Sequence, residues 1–179
     1  GLTAPAPEGD HSASAYAAVI EVLVTRMALQ SYVLVGTSFS AIPAALHAAT
    51  RPAGLAGLVM VTASGLRRRA TGPAPNQPPP DPRLSALREG RRPLEFFDWK
   101  LRSLLKRPIP EDELAIHVHE AAVMNDMPGR TQEAERRVRA HDHDLLARTL
   151  PQVELPALVQ WSSDSTYLPP DMATTMGEL

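Results

Sequence analysis

Tyr32-Val33-Leu34-Val35-Gly36-Thr37-Ser38-Phe39-Ser40-Ala41-Ile42-Pro43-Ala44-Ala45-Leu46-His47-Ala48-Ala49 is the stretch whose reading decides the fold. Its first four residues form an apolar run rich in strand formers, of the kind that suits a strand covered on both faces. Gly36 to Ser40 break the run, and an alanine-rich segment with helical character follows. Pro43 falls near the first helical turn, where a missing N–H costs little. Strand, tight turn and helix in this order are the setting of a nucleophile elbow, which lifts a hydroxyl clear of a sheet. The candidate nucleophile is Ser38, and the Phe39 backbone N–H is placed to donate to a developing oxyanion at the helix start. GTSFS departs from Gly-x-Ser-x-Gly at its last position, where Ser40 stands. A buried strand, a Gly/Ser turn and a packing helix without chemistry would give the same pentapeptide.

Working outward, the segment before the elbow begins with the Pro/Gly-rich loop Gly1 to Asp10. Ser12 or Ser14 is positioned to cap a helix in which Tyr16, Val19, Ile20, Leu23 and Met27 recur on one face. After the elbow helix, Arg51-Pro52-Ala53-Gly54 stops the chain and Leu58-Val59-Met60-Val61 reads as a second buried strand. A strand, helix and strand joined by short loops predict a parallel sheet with a right-handed crossover.

From Leu66 the composition changes. Arg67, Arg68 and Arg69 lead into prolines at 73, 75, 78, 79, 80 and 82, a linker too proline-rich for helix or inner strand. Three helical patterns follow. Leu94, Phe97, Leu101, Leu104 and Leu105 share a face in the first, with Phe96 and Trp99 beside it. The second opens on Glu111, Asp112 and Glu113, where acids suit the helix dipole, and carries Leu114, Val118, Ala121 and Ala122. The third starts near Thr131 and shows Ala134, Val138, Leu145 and Leu146. Residues 66–150 thus read as a helical insertion, and Leu155 to Trp161 as a third strand that resumes the sheet.

Composition narrows the classes of function. The 179 residues are 44% hydrophobic and 21% charged, with a net charge of -2, which gives no broad attraction to nucleic acid or to an anionic membrane. There is no cysteine, so disulfides, zinc thiolate sites and a cysteine nucleophile are excluded. No apolar run approaches the ~20 residues that span a bilayer.

In its segment order the chain resembles the α/β-hydrolase fold family, in the serine hydrolase branch with a helical cap inserted after the strand that follows the elbow. GLTAPAPEGD resembles the loop after that family's fourth strand, YVLVGTSFS the elbow, LAGLVMVTASG the sixth strand and LPALVQWSSDSTYLPP the seventh. The resemblance implies an α/β fold with an incomplete core over residues 1–65 and 151–179 and a cap over 66–150. Both chain ends then read as cut. It also implies Ser38 as nucleophile and Phe39 N–H as one oxyanion donor. The second donor would precede Gly1 and the catalytic histidine would follow Leu179. Family members commonly read Trp-Gly-x-x-Asp in the last segment. Counting from Trp161 puts Ser162 at the glycine and Ser165 at the acid, so either Asp164 serves from one place early or the acid is lost.

The function expected on these grounds is cofactor-free, metal-free hydrolysis of an ester, thioester, lactone or C–C bond in a small apolar substrate, in the cytoplasm, by the complete protein. Nucleic acid and membrane are not expected as partners. The alternative is a non-catalytic homologue used for binding or as a scaffold, favoured by serines at 40, 162 and 165. Other histidines offer weaker sites. His117 with His119, and His141 with His143, are pairs two residues apart, which on one helix point to different faces. Glu113 and His117, four apart, suit a shared hydrogen bond or metal. His141 reads as a packed or cavity-lining residue, and His47 as structural.

Overall fold

A computed structural model describes residues 8–66, 93–104, 108–126, 128–163, 165, 168 and 170–179. The triple arginine, the proline-rich linker, most of the N-terminal loop and Asp164 lie outside the described residues. The chain divides into two compact units, Asp10–Arg69 with Arg137–Leu179, and Gly1–Gly9 with Ala70–Arg136.

In the first unit, α1 (Ala13–Arg26) is followed by β1 (Tyr32–Thr37), one 3-10 turn (Ser38–Ser40), α2 (Ala41–Ala49) and β2 (Leu55–Val61). The Ser12 side chain accepts the Ala15 N–H at 3.2 Å and so caps α1, while Asp10 accepts the Ser12 N–H at 2.8 Å. β3 (Ala157–Gln160) completes a three-stranded sheet in the order β1-β2-β3, all parallel. Val35 pairs with Val59 and Val59 with Leu158, so like positions line up across the sheet. β1 therefore stands at an edge of the sheet among the described residues.

The strand spacing of two sends alternate residues to opposite faces. One face carries Leu34, Leu58, Met60 and Val159 and packs with α2, whose Ala41, Ile42, Ala44, Ala45 and Ala48 are buried. Alanines let the helix come close, and Ile42, Leu58, Met60 and Leu146 fill the space as the largest fully buried side chains. Each such burial stabilises by about 1.5 to 3 kcal/mol. The other face carries Val33, Val35 and Leu158, which are 56%, 59% and 58% exposed. A strand run expected to be covered on both sides is thus covered on one among the described residues.

α1 is turned part-way from its expected orientation, with Tyr16 and Ile20 on the inward side as expected. Ala13, Tyr16, Ala17, Ile20 and Val24 face inward, whereas Val19, Leu23 and Met27 are exposed. The reason is steric: α1 packs on α2, and the small Ala13 and Ala17 allow a close approach that a valine or leucine stripe would prevent.

His47 on α2 is 2% exposed and links three elements. Its Nε2 lies 2.9 Å from the Tyr32 hydroxyl on β1, and its Nδ1 lies 3.4 Å from the Glu21 carboxylate on α1. A carboxylate only accepts, so Nδ1 carries the proton and Nε2 accepts from Tyr32. Burial pushes the His47 imidazole below its ordinary range, partly offset by Glu21, and burial followed by Glu21 raises the Tyr32 phenol. A base with a lowered folded pKa loses stability on acidification, because the unfolded chain takes up a proton that the folded chain refuses. Unfolding free energy measured by urea titration is therefore expected to fall as pH drops through about 6.5, and to fall less steeply in His47→Gln. Identical pH slopes in the two proteins would count against this assignment.

The second unit holds α3 (Pro93–Leu104) and α4 (Glu111–Asp126), packed on one another. Leu114, Val118 and Ala122 form the buried stripe of α4, at the spacing the sequence predicts. Phe96 and Phe97 meet edge to face at 5.0 Å, and Arg102 clamps Asp98 at 3.0 Å and Glu111 at 2.6 Å. The third helical pattern is not one helix. α5 (Arg130–Arg139) ends before His141, and α6 (Leu145–Thr149) follows as a separate turn whose Leu146 is fully buried with Ile42. Asp142 breaks the pattern by accepting the Asp144 N–H at 2.9 Å, an Asx arrangement that competes with helix. The chain closes with α7 (Asp171–Gly177), which burial of Met172 and Met176 holds and which the sequence reading left unassigned.

Candidate active site

The site forms where β1 gives way to α2. Thr37 is extended, Ser38 turns to φ +52°, and Ala41 begins the helix. A positive φ at a non-glycine residue crowds Cβ against the backbone and costs of order 1 to 3 kcal/mol. Such strain persists only where the surroundings hold it. Here the Ser38 carbonyl accepts the Ser64 N–H at 3.1 Å, tying the turn to the end of β2.

Gly36 is the second constraint. A Cβ at Gly36 would stand 2.6 Å from Ala41 Cα, 2.9 Å from Ala41 N and 2.9 Å from the Ser40 carbonyl oxygen. Only glycine lets the strand end approach the helix start this closely. Ser40, in the place of the second glycine, has φ -68°, which any residue adopts. Its hydroxyl accepts the Thr37 N–H and donates to the Thr37 carbonyl, both at 2.8 Å. Ser40 thus closes the turn instead of crowding it, a role that residue identity at the glycine position does not reveal.

Ser38 is exposed, and its hydroxyl has no hydrogen-bond partner among the described residues. The Phe39 N–H lies in the first turn, where no preceding intrahelical carbonyl is available to it. Ser38 and Phe39 thus stand side by side at the corner between β1 and α2. Asp164 lies outside the described residues. Ser165, at the position that counting assigns to the acid, is used by the backbone: its N–H donates to the Ser162 carbonyl at 3.2 Å and its Oγ accepts the Leu168 N–H at 3.3 Å. Trp161 anchors the same loop by donating its ring N–H to the Leu168 carbonyl at 2.8 Å.

Around the Phe39 ring the fold gathers residues that the sequence does not connect. Tyr16 meets it edge-on at 5.9 Å, His141 lies at 6.0 Å, and the Arg137 guanidinium sits 5.5 Å from its centroid. His143 packs against His141 at 4.3 Å, and His11 Nδ1 lies 2.9 Å from the Tyr16 hydroxyl. Burial, then His143, push the His141 imidazole below its ordinary range, with Asp142 opposing. His117 lies 3.8 Å from Glu113 and 3.6 Å from Glu120 on an exposed face of α4. No group of three or more His, Asp or Glu suited to a metal occurs among the described residues. None of their helices is long and apolar enough to cross a membrane.

No protein-family model matches this chain, and no curated protein sequence does. Solved structures do. A bacterial membrane phospholipase A described as a virulence factor superposes with a TM-score of 0.72 at 20% identity over 99% of this chain and 56% of its own. An esterase from Exiguobacterium antarcticum gives 0.70 at 17% identity, over 97% of this chain and 63% of its own. A hydrolase from Oleispira antarctica gives 0.67 at 17%, over 97% and 62%. The chain spans less than two thirds of the length of each. With a parallel sheet, a strained serine turn and this likeness together, the chain has the fold of an α/β-hydrolase and represents part of it.

Proposed function

We propose that the complete protein is a serine-dependent hydrolase cleaving an ester or related acyl bond of a small, largely apolar substrate. The observation that carries this reading is Ser38 held at positive φ, exposed, on a turn that Gly36 and Ser40 shape around it. Ala28, Arg51 and Thr62 share the positive φ, but of the four only Ser38 lies on the strand-to-helix turn, and strain of this kind concentrates at functional sites.

In this mechanism Ser38 Oγ attacks the substrate carbonyl carbon while a base takes its proton. The carbonyl oxygen becomes an oxyanion that accepts from Phe39 N–H. Collapse expels the alcohol with that proton and leaves an acyl-serine, and water then adds and releases the acid. The base is a histidine from the rest of the complete polypeptide, and Asp164 is the candidate to orient it. The fold's solved neighbours include an esterase and a phospholipase, which supports acyl-bond hydrolysis as the reaction class. Hydrolysis of para-nitrophenyl esters by the complete polypeptide, compared with Ser38→Ala, tests the reading. Retention of full activity in the variant would reject it.

A further inference from the structure

The Arg137 guanidinium has an unusual setting. Arg51, Arg102, Arg130, Arg136 and Arg148 are each tied to a carboxylate. Arg137 has no such partner among the described residues and instead lies over the ring of Phe39. A guanidinium stacked on an aromatic face keeps its N–H donors at the edge, in one plane and in a fork that matches a carboxylate. The ring beneath it belongs to the residue directly after Ser38, the one whose N–H is the oxyanion donor. Glu133, four residues earlier on the same helix, is engaged by Arg130 at 2.8 Å, and Asp142 by Arg148 at 2.5 Å. Tyr16 and His141 pack the same ring and hold it in place, so the cation is presented from a fixed platform beside the elbow.

We propose that Arg137, mounted on Phe39, is an anion subsite beside Ser38, and that the substrate is a short acyl ester whose far end carries a carboxylate. This inference rests on Ser38 as the nucleophile and goes beyond it by assigning the substrate a charge. A short acyl chain then runs from the serine across the Phe39 ring to the guanidinium, apolar in its middle and anionic at its end. The His141 imidazole, whose charged form burial and His143 disfavour, adds a ring face against Phe39.

The test uses the complete polypeptide and two esters of equal acyl length, the para-nitrophenyl half-ester of glutaric acid and para-nitrophenyl valerate. Arg137→Ala is expected to lower kcat/KM for the half-ester roughly tenfold and to leave valerate within about twofold, with Arg137→Lys intermediate because it keeps charge but loses the fork. Equal effects on both esters, or none on either, overturn the subsite, while Ser38→Ala reports separately on the nucleophile. Should neither ester be turned over, glutarate titrated against the Phe39 amide signal decides the matter. A saturable shift lost in Arg137→Ala supports the subsite, and no shift in the unsubstituted protein overturns it.

Discussion

Gly36→Ala is expected to unfold the sheet unit more readily than any other single methyl addition near the elbow. The added Cβ would meet three backbone atoms at 2.6 to 2.9 Å, and none of them can swing aside as a side chain can. Relief requires moving the start of α2 away from β1. That motion also loosens Ala41, Ile42 and Ala45, which have at most 1% of their surface exposed. Overpacking of this kind costs about 3 kcal/mol, at the upper end of its usual range, against a total stability of about 5 to 15 kcal/mol for an ordinary domain. The urea midpoint should fall accordingly with the slope unchanged. An unchanged midpoint would mean that the strand and helix do not approach as closely as the structure has them.

Ser38→Gly is expected to separate stability from activity. Glycine takes φ near +52° without the steric penalty that a side chain meets there, so removing the hydroxymethyl group relieves strain at a position where the hydroxyl bonds to nothing among the described residues. Against this stands the greater freedom of glycine in the unfolded chain, about 0.5 to 1 kcal/mol. The net expectation is a variant as stable as the parent or more stable by about 1 kcal/mol. Its acyl-ester hydrolysis in the complete polypeptide should fall by about a thousandfold or more, the loss that follows removal of a nucleophile. Ser38→Ala loses the same activity but keeps a Cβ in the strained region, so it should not gain stability. A higher thermal stability of Ser38→Gly than of Ser38→Ala distinguishes a strained elbow from a merely exposed serine.

Much of this arrangement was legible in the sequence because it rests on local chemistry. β1, α2 and β2 follow from a short apolar run, a Gly/Ser break and a second apolar run, and their order implies parallel pairing. The α4 stripe of Leu114, Val118 and Ala122 follows from helical spacing on a helix whose first turn is acidic. Where the reading failed, tertiary contact overrode pattern. Hydrophobicity pointed the face of α1 toward Tyr16, Val19, Ile20, Leu23 and Met27; Tyr16 and Ile20 do face inward, but beside alanine-rich α2 they are joined by Ala13 and Ala17, and Val19, Leu23 and Met27 are left exposed. The helix expected to run unbroken through residue 146 is interrupted because Asp142 bonds to its own neighbouring backbone. At the site, Ser38 was legible as a motif and its strain was not, since φ is not written in residue identity. Ser40 illustrates the same limit: as a missing glycine it argues against an elbow, while its two bonds to Thr37 hold the turn closed. The Phe39 platform had no sequence signal, because Tyr16 and Arg137 are far from it along the chain.

The exposed valines of β1 and the exposed stripe of α1 have a physical consequence for the 179 residues on their own. An apolar sheet face and a strand edge that is unpaired among the described residues favour association. The superposed structures carry a further third or more of their own length beyond the part this chain matches, so measurements of activity belong to the complete polypeptide.

The central claim, that the elbow presents a reactive serine, is tested most directly by treating the complete polypeptide with a serine-directed fluorophosphonate and locating the adduct by peptide mass mapping. One adduct, on the peptide containing Ser38 and absent from Ser38→Ala, is the predicted result. Phosphonylation of another residue, or none at concentrations that label an active esterase to completion, would contradict it and leave the fold without the chemistry.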